Sequence, residues 1–400
     1  MSLTVRVLIG LVAGFLVGLV APAPVAAVLA PIGTLFVNLI RVTVFPLVVS
    51  MLVASIGAIA STKALGRAGA RAIAHALALL TIAAVATVVI ATPVMSRVPI
   101  DRAAAQSLQT GAPAARPAAV SDSRIADWIV GLVPPNVFKA AADDAMLPVI
   151  VFAVLFALAL GQVRDDRRTA VLHVVEGIAD AMQRFVAVVL ELTPFGVFAL
   201  AVPLAARLGF AAAGAVAVYV VLVVSLTIAA SAVLLYPLGI VGGRMRPTAF
   251  ASFCGPAQAV AFSSRSSLAA LPAMLETAER AGVPAVVSGF VLPLAASVFR
   301  FGAAIAQTVG VLFLARLYGV VLSPAQLASV VVTVIFATFA VPGIPGGSVI
   351  AMVPVLRAAN VPVDGIGILL AVDAIPDMFR TTANVTGTMA LTAVLSKESD

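Results

Sequence analysis

The stretch AVDAIPDMFRTTANVTGTMALTAVL, residues 371–395, carries charges inside a run that is otherwise apolar enough to cross a membrane. Its charged side chains are Asp373, Asp377 and Arg380, and Asn384 follows one turn later. The spacing i, i+4, i+7 and i+11 places all four along one stripe of a helix. A charge at the centre of a bilayer costs about 2.5–3.5 kcal/mol on insertion scales. The stretch therefore predicts a membrane helix whose polar stripe faces the protein interior or a cavity.

The rest of the chain has the composition of a membrane protein. Of its 400 residues, 62% are hydrophobic and only 10% are charged, whereas soluble domains are about half apolar and about a quarter charged. Apolar blocks long enough to span a bilayer recur along the chain, near residues 4–21, 28–60, 71–94, 145–162, 171–204 and 210–241. These continuous blocks predict an all-α polytopic membrane protein and exclude a transmembrane β-barrel, whose strands alternate in polarity.

Charge and cysteine content exclude several classes of function. The formal net charge of +7 comes from basic residues scattered through short loops, without a stripe of interleaved aromatics, so nucleic acid is not expected as a partner. Cys254 is the only cysteine, which excludes a disulfide framework and a thiolate metal site. No phosphate-binding P-loop is present, and no cofactor is expected.

The loop charges predict how the chain is oriented. Lysines and arginines concentrate in short connections, which favours the cytoplasmic side for Lys63, Arg67, Arg71, Arg164, Arg167, Arg168, Arg244 and Arg246. This places both termini in the cytoplasm of a multi-pass inner-membrane protein, with the long loop 95–142 outside. The blocks 28–60 and 171–204 exceed the ~20 residues that a span needs. We expect them to be tilted or kinked, with Pro46 and Pro194 as the kink sites.

Two apolar segments late in the chain are interrupted by residues that a helix cannot accommodate. Residues 247–276 contain SSRSSLAALP, and residues 325–358 contain VPGIPGGS. Lipid cannot satisfy the backbone groups that so many Pro, Gly and Ser residues expose, so each segment is predicted to enter the membrane and return as a re-entrant hairpin. Each is followed by a spanning run, residues 284–316 and 364–395, which is typical of an inverted-repeat transporter.

Several motifs are similar to those of one transporter family. The most specific are RSSLAALP at residues 265–272, GIPGGS at residues 343–348 and DAIPDMFRTTANVTG at residues 373–387, and LTPFGVFAL at residues 192–200 supports them. Over nearly its whole length the chain resembles the dicarboxylate/amino acid:cation symporter family, the glutamate and aspartate transporter homologues. The resemblance implies eight transmembrane helices, two re-entrant hairpins, an elevator mechanism and a homotrimer in the lipid bilayer.

The resemblance also implies a scaffold and a mobile transport domain. Residues 1–70 would form scaffold helices one and two, and residues 71–94 would form helix three of the transport domain. Residues 95–206 would form an external loop and scaffold helices four and five. Residues 207–396 would form the rest of the transport domain. That last part would comprise helix six, hairpin one at about 247–277, helix seven at about 284–316, hairpin two at about 325–358 and helix eight at about 364–396.

Residue by residue, the resemblance implies a substrate-binding site built around the polar stripe. Asp377 would take a substrate amino group and Arg380 a side-chain carboxylate, which a guanidinium grips in fork geometry. Thr381 and Asn384 would add further contacts. The hairpin tips would close over the substrate through Arg265, Ser266, Ser267, Ile344, Pro345 and Gly346. The substrate would be a small anion, either an acidic amino acid or a C4-dicarboxylate.

The chain departs from this family where the family binds sodium. The family's Asn-Met-Asp-Gly-Thr stretch aligns with residues 299–303, which read FRFGA, and its late aspartate aligns with Thr388. Sodium needs oxygen ligands, which the side chains of Phe299 and Phe301 do not offer. No metal site is therefore expected. We expect transport to be independent of sodium, and to be proton-coupled, an exchange, or facilitated.

Arg300 lies within the altered stretch, and three roles are open for it. Its guanidinium could neutralise Asp373 or Asp377 as a tethered replacement for sodium, which is the interpretation we favour. It could instead snorkel or pair structurally with Asp364 or Asp373, or bind a substrate carboxylate and so select dicarboxylic acids that lack an amine. Three buried arginines and two buried aspartates would leave the empty site at +1, which a substrate of charge −1 would neutralise.

Two functions of other classes compete with a secondary transporter. Arg265, Arg300 and Arg380 could line an anion-conducting pore. Asp373 and Asp377 could form the acid dyad of an intramembrane hydrolase, but they lie one turn apart on one helix, whereas such dyads bring together carboxylates from separate segments. A secondary transporter, not an enzyme, is therefore the predicted function.

Overall fold

The structure is a computed structural model that describes residues 3–20, 23–61, 66–97, 130–143, 145–208, 210–341 and 346–398. Within these ranges all regular secondary structure is helical, as the sequence predicted. The first group of helices comprises α1 Leu3–Val20, α2 Ala23–Ser61, α3 Gly66–Ser96, α4 Val137–Ala142, α5 Met146–Leu160, α6 Asp165–Glu191 and α7 Thr193–Leu208.

The remaining helices contain more interruptions. α8 is Phe210–Ala230, and it continues through two π-helical turns, Ser231–Leu235 and Leu238–Gly242. After it come α9 Pro247–Ser264, α10 Leu271–Arg280, α11 Ala285–Val298, α12 Phe301–Leu317, α13 Pro324–Phe339, α14 Gly347–Ile350 and α15 Val353–Ala358. A short 3₁₀ turn, Val363–Gly365, then leads into α16 Ile366–Val372 and α17 Ala374–Glu398.

Length and composition identify several helices that can cross a membrane. Among the described residues three helices qualify, namely Val28–Gly57, Arg71–Ser96 and Gly214–Gly242. α6 and α7 meet at a bend of 56° and count as a fourth span if the pair crosses together. Pro194 is the second residue of α7, so this bend lies where the sequence predicted a kink. The count of eight spans and the kink at Pro46 remain predictions.

α1 packs against α7 through glycines. A Cβ at Gly10, Gly14 or Gly18 would lie 2.3–2.6 Å from a carbonyl oxygen of α7, so a larger residue cannot fit without separating the two helices. Small residues allow the close backbone approach on which helix packing in lipid depends. α2 in turn packs against α5, α6 and α7. These helices form one group, and the sequence assigned them to the scaffold.

α17 is the centre of a second group of helices. α8, α9, α11 and α12 pack against it, and α3 packs against α12. α9 and α10 contact each other as a helical hairpin at residues 247–280. α13 and α15 form a second hairpin, which also packs against α2 and α5; residues 342–345 at its tip lie outside the described part of the chain. The predicted domain boundaries stay predictions.

The predicted spanning run 284–316 consists of two helices in the structure. α11 ends at Val298, Phe299 adopts an extended conformation, and α12 begins at Phe301. The backbone N–H of Gly302 donates to Oδ1 of Asn384 at 2.7 Å. The side chain of Asn384 on α17 thus accepts the hydrogen bond that a backbone carbonyl of the preceding turn would accept in an unbroken helix.

The predicted spanning run 364–395 likewise consists of two helices, which meet at Asp373 between α16 and α17. Pro376 explains this break, because proline has no N–H to donate to the carbonyl of Val372 and its ring crowds that carbonyl. The break puts Asp373 at a helix end, immediately before the first turn of α17.

The predicted loop 95–142 is partly helical. α3 extends to Ser96, and α4 occupies the end of the loop. The side chain of Asn136 starts α4 by accepting a hydrogen bond from the backbone N–H of Lys139 at 3.0 Å, a standard N-cap. The predicted external loop therefore contains one short helix near its end, and residues 98–129 lie outside the described ranges.

Candidate functional site

Arg380 is a fully buried arginine that two aspartates hold. Its side chain is 1% exposed, and its Nη1 and Nη2 lie 2.8 and 2.9 Å from Oδ1 and Oδ2 of Asp373. The Nη1 contact is ionic, with an angle too poor for a hydrogen bond, whereas Nη2 donates to Oδ2. Nη2 also donates to Oδ1 of Asp377 at 2.8 Å. The three side chains of the predicted stripe therefore meet in one charged cluster.

The broken helix explains how these side chains come together. Asp373 lies at the break and Asp377 in the first turn of α17, where the backbone N–H of Asp377 donates to the carbonyl of Asp373 at 2.8 Å. A carboxylate in the first turn of a helix is stabilised by the helix dipole. Arg380 follows one turn after Asp377, which is the spacing at which helical side chains touch.

Some of the hydrogen-bonding capacity of this cluster is unused. Among the described residues, Oδ2 of Asp377 and Nε of Arg380 are buried and have no hydrogen-bond partner. Buried polar atoms are normally paired, so each such atom calls for an explanation. Oδ2 of Asp377 can accept from an ammonium group, and Nε of Arg380 can donate to a carboxylate.

Arg300 brings a second buried guanidinium to the same region. It lies at the break between α11 and α12, is 4% exposed, and its Nε has no hydrogen-bond partner in the described part of the chain. Asp377 is close enough to attract its charge. Arg300 forms no ion pair with any described carboxylate, so the structural pairing with Asp364 or Asp373 that the sequence left open is not found.

The first hairpin tip reaches this cluster. Arg265 ends α9 in the left-handed conformation, with φ of 55°, and lies close enough to Asp373 to attract it. The backbone N–H of Ser266 donates to Oγ of Ser264 at 3.2 Å, which tightens the turn. Ser267 is buried, and its Oγ has no partner among the described residues.

The second hairpin tip is described only in part. Ile344 and Pro345, which the sequence placed in the site, lie outside the described residues. Gly346 is described and has φ of 80°, a left-handed conformation that glycine adopts without strain. A Cβ on Gly346 would lie 3.5 Å from side chains of both Leu190 and Leu370, so this tip approaches α6 of the first group.

Asn384 and Thr381 lie on the buried side of α17. Oδ1 of Asn384 accepts from Gly302, as described above, so this side chain joins the two broken helices. Gly302 is in turn so close to α17 that a Cβ on it would lie 2.4 Å from the carbonyl oxygen of Arg380. Thr381 is buried beside these groups.

Aromatic rings occupy the positions that align with the sodium ligands of the resembled family. Phe299 and Phe301 are both buried, with ring centroids 6.3 Å apart. A Cβ on Gly387 would lie 2.5 Å from the ring of Phe299, so that ring packs directly against α17 at Gly387. Apolar rings fill this space, and they provide no oxygen ligands for a cation.

Tyr219 is a residue of this region that the sequence did not single out. It is fully buried on α8, and its hydroxyl has no partner in the described part of the chain. The charges of Asp373, Arg380 and Asp377 all act on it, that of Asp373 most strongly of the three. The sequence does not predict that this tyrosine is buried near the charged cluster, because tyrosines in apolar blocks also occur at membrane interfaces.

Comparisons with known proteins agree with the resemblance. The Sodium:dicarboxylate symporter family matches residues 3–398. The chain is 30% identical to the proton/glutamate-aspartate symporter of Escherichia coli, covering 93% of this chain and 86% of that protein. It is 27% identical to a proton/sodium-glutamate symport protein of Bacillus caldotenax, covering 98% and 93%. It is also 27% identical to a C4-dicarboxylate transport protein of Rhodospirillum rubrum, covering 99% and 88%.

The match runs through both helix groups and includes the charged cluster on α17. The names of the E. coli and B. caldotenax relatives describe symport, and the name of the R. rubrum relative describes transport. The chain is therefore a transporter and not an enzyme, which excludes the hydrolase alternative. Because the family model matches residues 3–398, this protein belongs to the sodium:dicarboxylate symporter family.

Proposed function

We propose that this chain is a secondary transporter that carries an acidic amino acid or a C4-dicarboxylate across the inner membrane by an elevator mechanism that does not depend on sodium. The observation that carries the proposal is the cluster of Arg380, Asp373 and Asp377. Its charges are buried in a protein of mostly apolar helices, and part of its hydrogen-bonding capacity is unused. Ionisable groups at membrane depth generally mark a substrate or ion pathway.

The chemistry of the cluster favours an anion with two kinds of polar group. Nε of Arg380 offers a donor for a carboxylate, and Oδ2 of Asp377 offers an acceptor for an ammonium. An acidic amino acid has both groups, and the E. coli relative is named for glutamate and aspartate. A C4-dicarboxylate has two carboxylates, for which Arg300 supplies a second guanidinium nearby.

The charges of the site support an anionic substrate. Arg265, Arg300 and Arg380 contribute +3, and Asp373 and Asp377 contribute −2, so the empty site carries +1. A substrate of net charge −1 brings the total to zero. A neutral loaded site lowers the free energy needed to move the transport domain past lipid.

Arg300 is the basis for proposing that sodium is not required. Its guanidinium is buried, has no ion-pair partner among the described residues and lies near Asp377. A cation attached to the chain compensates the aspartates without having to dissociate. The side chains of Phe299 and Phe301 also provide no oxygen ligands at two positions that align with the family's sodium-binding stretch.

The unequal packing of the two hairpins supports an elevator. Hairpin two packs against α2 and α5 of the scaffold group as well as against α3 and α12, whereas the main contacts of hairpin one are with α17, α11 and the π-helical end of α8. Phe262 and Leu268 near the tip of hairpin one are 39% and 45% exposed. With both termini in the cytoplasm, hairpin one would be the gate that opens inward.

One face of α6 supports the proposed homotrimer. The exposed residues along this face, spaced four apart, are Glu176, Asp180, Arg184 and Val188. Charged side chains facing lipid are unfavourable. A neighbouring subunit that covers the face would remove them from lipid.

Counterflow into proteoliposomes tests the proposal. Vesicles loaded with unlabelled L-aspartate or succinate, in potassium buffer free of sodium, should accumulate the labelled compound transiently and with saturation. A pore would give a linear flux without accumulation. Uptake that requires sodium and stops when potassium replaces it at constant pH would refute sodium independence and leave the carrier function intact.

A further inference from the structure

A cavity lies between α8, α9 and α17, away from the charged cluster. Its volume is about 440 Å³, which is within the size range of pockets that bind small molecules. The part of α8 that lines it includes Ser231, where the helix enters its first π-helical turn. Single π-helical turns occur frequently at functional sites. The cavity therefore has the size and the backbone setting of a ligand site.

The mouth of this cavity lies on the apolar surface of a membrane-spanning helix. Ile228 and Ala232 line the cavity and are exposed on α8. Both belong to the stretch Gly214–Gly242, which is long and apolar enough to cross a membrane. A molecule that enters the cavity between these residues therefore comes from the hydrocarbon region of the bilayer.

Two polar side chains in the cavity have incomplete hydrogen bonding. Nε2 of Gln258 donates to the hydroxyl oxygen of Tyr236 at 3.2 Å and to Oγ1 of Thr386 at 2.7 Å. The hydroxyl oxygen of Tyr236 and Oε1 of Gln258 are 3.5 Å apart, whereas an O–H···O hydrogen bond measures about 2.5–3.0 Å. Among the described residues, neither the O–H of Tyr236 nor Oε1 of Gln258 has a shorter contact of this kind.

Packing holds this donor and this acceptor side by side. The ring of Tyr236 packs edge-on against Phe250, with centroids 5.3 Å apart. Gln258 is fixed by its two hydrogen bonds, one of which reaches Thr386 on α17. The cavity thus presents a donor from α8 next to an acceptor from α9.

A ligand hydroxyl matches this pair. It can accept from the O–H of Tyr236 and donate to Oε1 of Gln258 at the same time. A carboxylate has no donor and an ammonium has no acceptor, so neither ion can satisfy both atoms. None of the described residues that line the cavity is charged, and burying an ion without a counter-charge is unfavourable. The cavity therefore favours a neutral molecule with a hydroxyl and an apolar body.

The cavity and the charged cluster lie on different faces of α17. Phe379, Thr382, Ala383 and Thr386 line the cavity, whereas Asp377 and Arg380 belong to the cluster. At 100° per residue, the cavity residues and the predicted polar stripe are centred roughly 140° apart around the helix. A molecule in the cavity therefore does not occupy the substrate site.

We propose that this cavity binds a neutral membrane lipid that carries a free hydroxyl. The hydroxyl lies between Tyr236 and Gln258, and the apolar body lies beside Phe379 and Ile228 and leaves the cavity toward the bilayer. The proposal does not depend on the function proposed above, because it uses no residue of the charged cluster.

Photolabelling of the full chain in lipid nanodiscs tests the site. The probe is a ten-carbon primary alcohol with a diazirine on its chain, and labelled peptides are mapped by mass spectrometry. Labelling of residues 227–236 and 379–386 should saturate, and excess 1-decanol should prevent it. n-Decane should compete at least about 10-fold more weakly, because it makes neither of the two hydrogen bonds.

Ala232→Phe tests the position of the mouth without changing the polar pair. The larger side chain fills the entrance, so saturable labelling should be lost while the melting temperature stays close to that of the wild type. Ala229→Phe is the matched control, because Ala229 is also exposed on α8 but does not line the cavity. It should be labelled like the wild type.

Tyr236→Phe tests the hydroxyl pair. Loss of one hydrogen bond should weaken competition by 1-decanol about 3-fold or more and leave that by n-decane unchanged. Equal competition by the two compounds in the wild type, or saturable labelling that survives Ala232→Phe, overturns the proposal. A protein that shows this labelling and binds none of aspartate, glutamate, succinate and malate supports the lipid site and overturns the proposed function instead.

Discussion

Gly302 and Arg380 are in direct backbone contact, since a Cβ on Gly302 would lie 2.4 Å from the carbonyl oxygen of Arg380. The same glycine donates its N–H to Asn384. The start of α12 is therefore fixed against the part of α17 that carries the charged cluster, and Arg300 lies two residues before the contact. Any change in this contact moves Arg300 relative to Arg380.

Gly302→Ala should damage both stability and binding. The added methyl group meets backbone atoms that cannot rotate away, and overpacking of this kind costs about 1–3 kcal/mol. We expect a lower melting temperature and a large rise in the Kd for the acidic substrate, measured by thermal unfolding and calorimetry. Gly214→Ala is the control, because nothing lies within 4 Å of its Cβ position; it should keep wild-type affinity. Normal affinity in Gly302→Ala would show that the contact does not position the site.

Arg380→Lys should lose substrate affinity while keeping the charge. An ammonium cannot hold Asp373 and Asp377 and also present a planar fork to a carboxylate. Loss of a charge-assisted hydrogen bond raises the Kd by roughly 10- to 100-fold. Arg280→Lys, in which an exposed arginine next to Glu276 on α10 is changed, should bind normally, since surface ion pairs contribute little. Equal affinities for the two variants would remove Arg380 from the binding site.

Arg300→Met should abolish transport in the absence of sodium. Without its charge, the five-residue site falls from +1 to no net charge, so it no longer attracts an anionic substrate. We expect uptake by proteoliposomes in sodium-free buffer to fall at least about 10-fold, a loss of about 1.4 kcal/mol. Arg280→Met controls for the removal of a positive charge from the same helix group. If Arg300→Met transports with unchanged rate and ion dependence, Arg300 does not compensate the site.

Gly14→Leu should weaken the scaffold group without altering the site. Its Cβ position lies 2.6 Å from a carbonyl oxygen of α7, so α1 and α7 must separate to admit a larger side chain. We expect a loss of about 1–3 kcal/mol in stability, read as a lower melting temperature in detergent, while the Kd of the remaining folded protein is unchanged. Val12→Leu on the exposed side of α1 should melt like the wild type. A Gly14→Leu protein of normal stability would contradict the packing of these two helices.

The sequence predicted the charged cluster well because a helical period converts spacing directly into proximity. Asp373, Asp377 and Arg380 are near one another in sequence, and no tertiary information is needed to bring them together. The break at Asp373 was also accessible, since Pro376 disrupts the hydrogen bonding of the preceding turn.

Other features depend on contacts that a sequence pattern does not contain. The break at Arg300 depends on Asn384, which lies on a different helix and accepts from Gly302. Tyr219 reaches the cluster only because α8 packs against α17 and α12. For the same reason the sequence left three roles open for Arg300, and the structure removed only the pairing with Asp364 or Asp373.

Calorimetric titration of the purified wild-type protein in sodium-free buffer tests the central claim most directly. L-aspartate, L-glutamate, succinate and malate are titrated separately, and Arg380→Lys is titrated in parallel with the best ligand. The account predicts saturable binding of at least one of these anions at one site per chain, weakened at least about 10-fold in Arg380→Lys. No binding by the wild-type protein, or equal binding by both proteins, would contradict it.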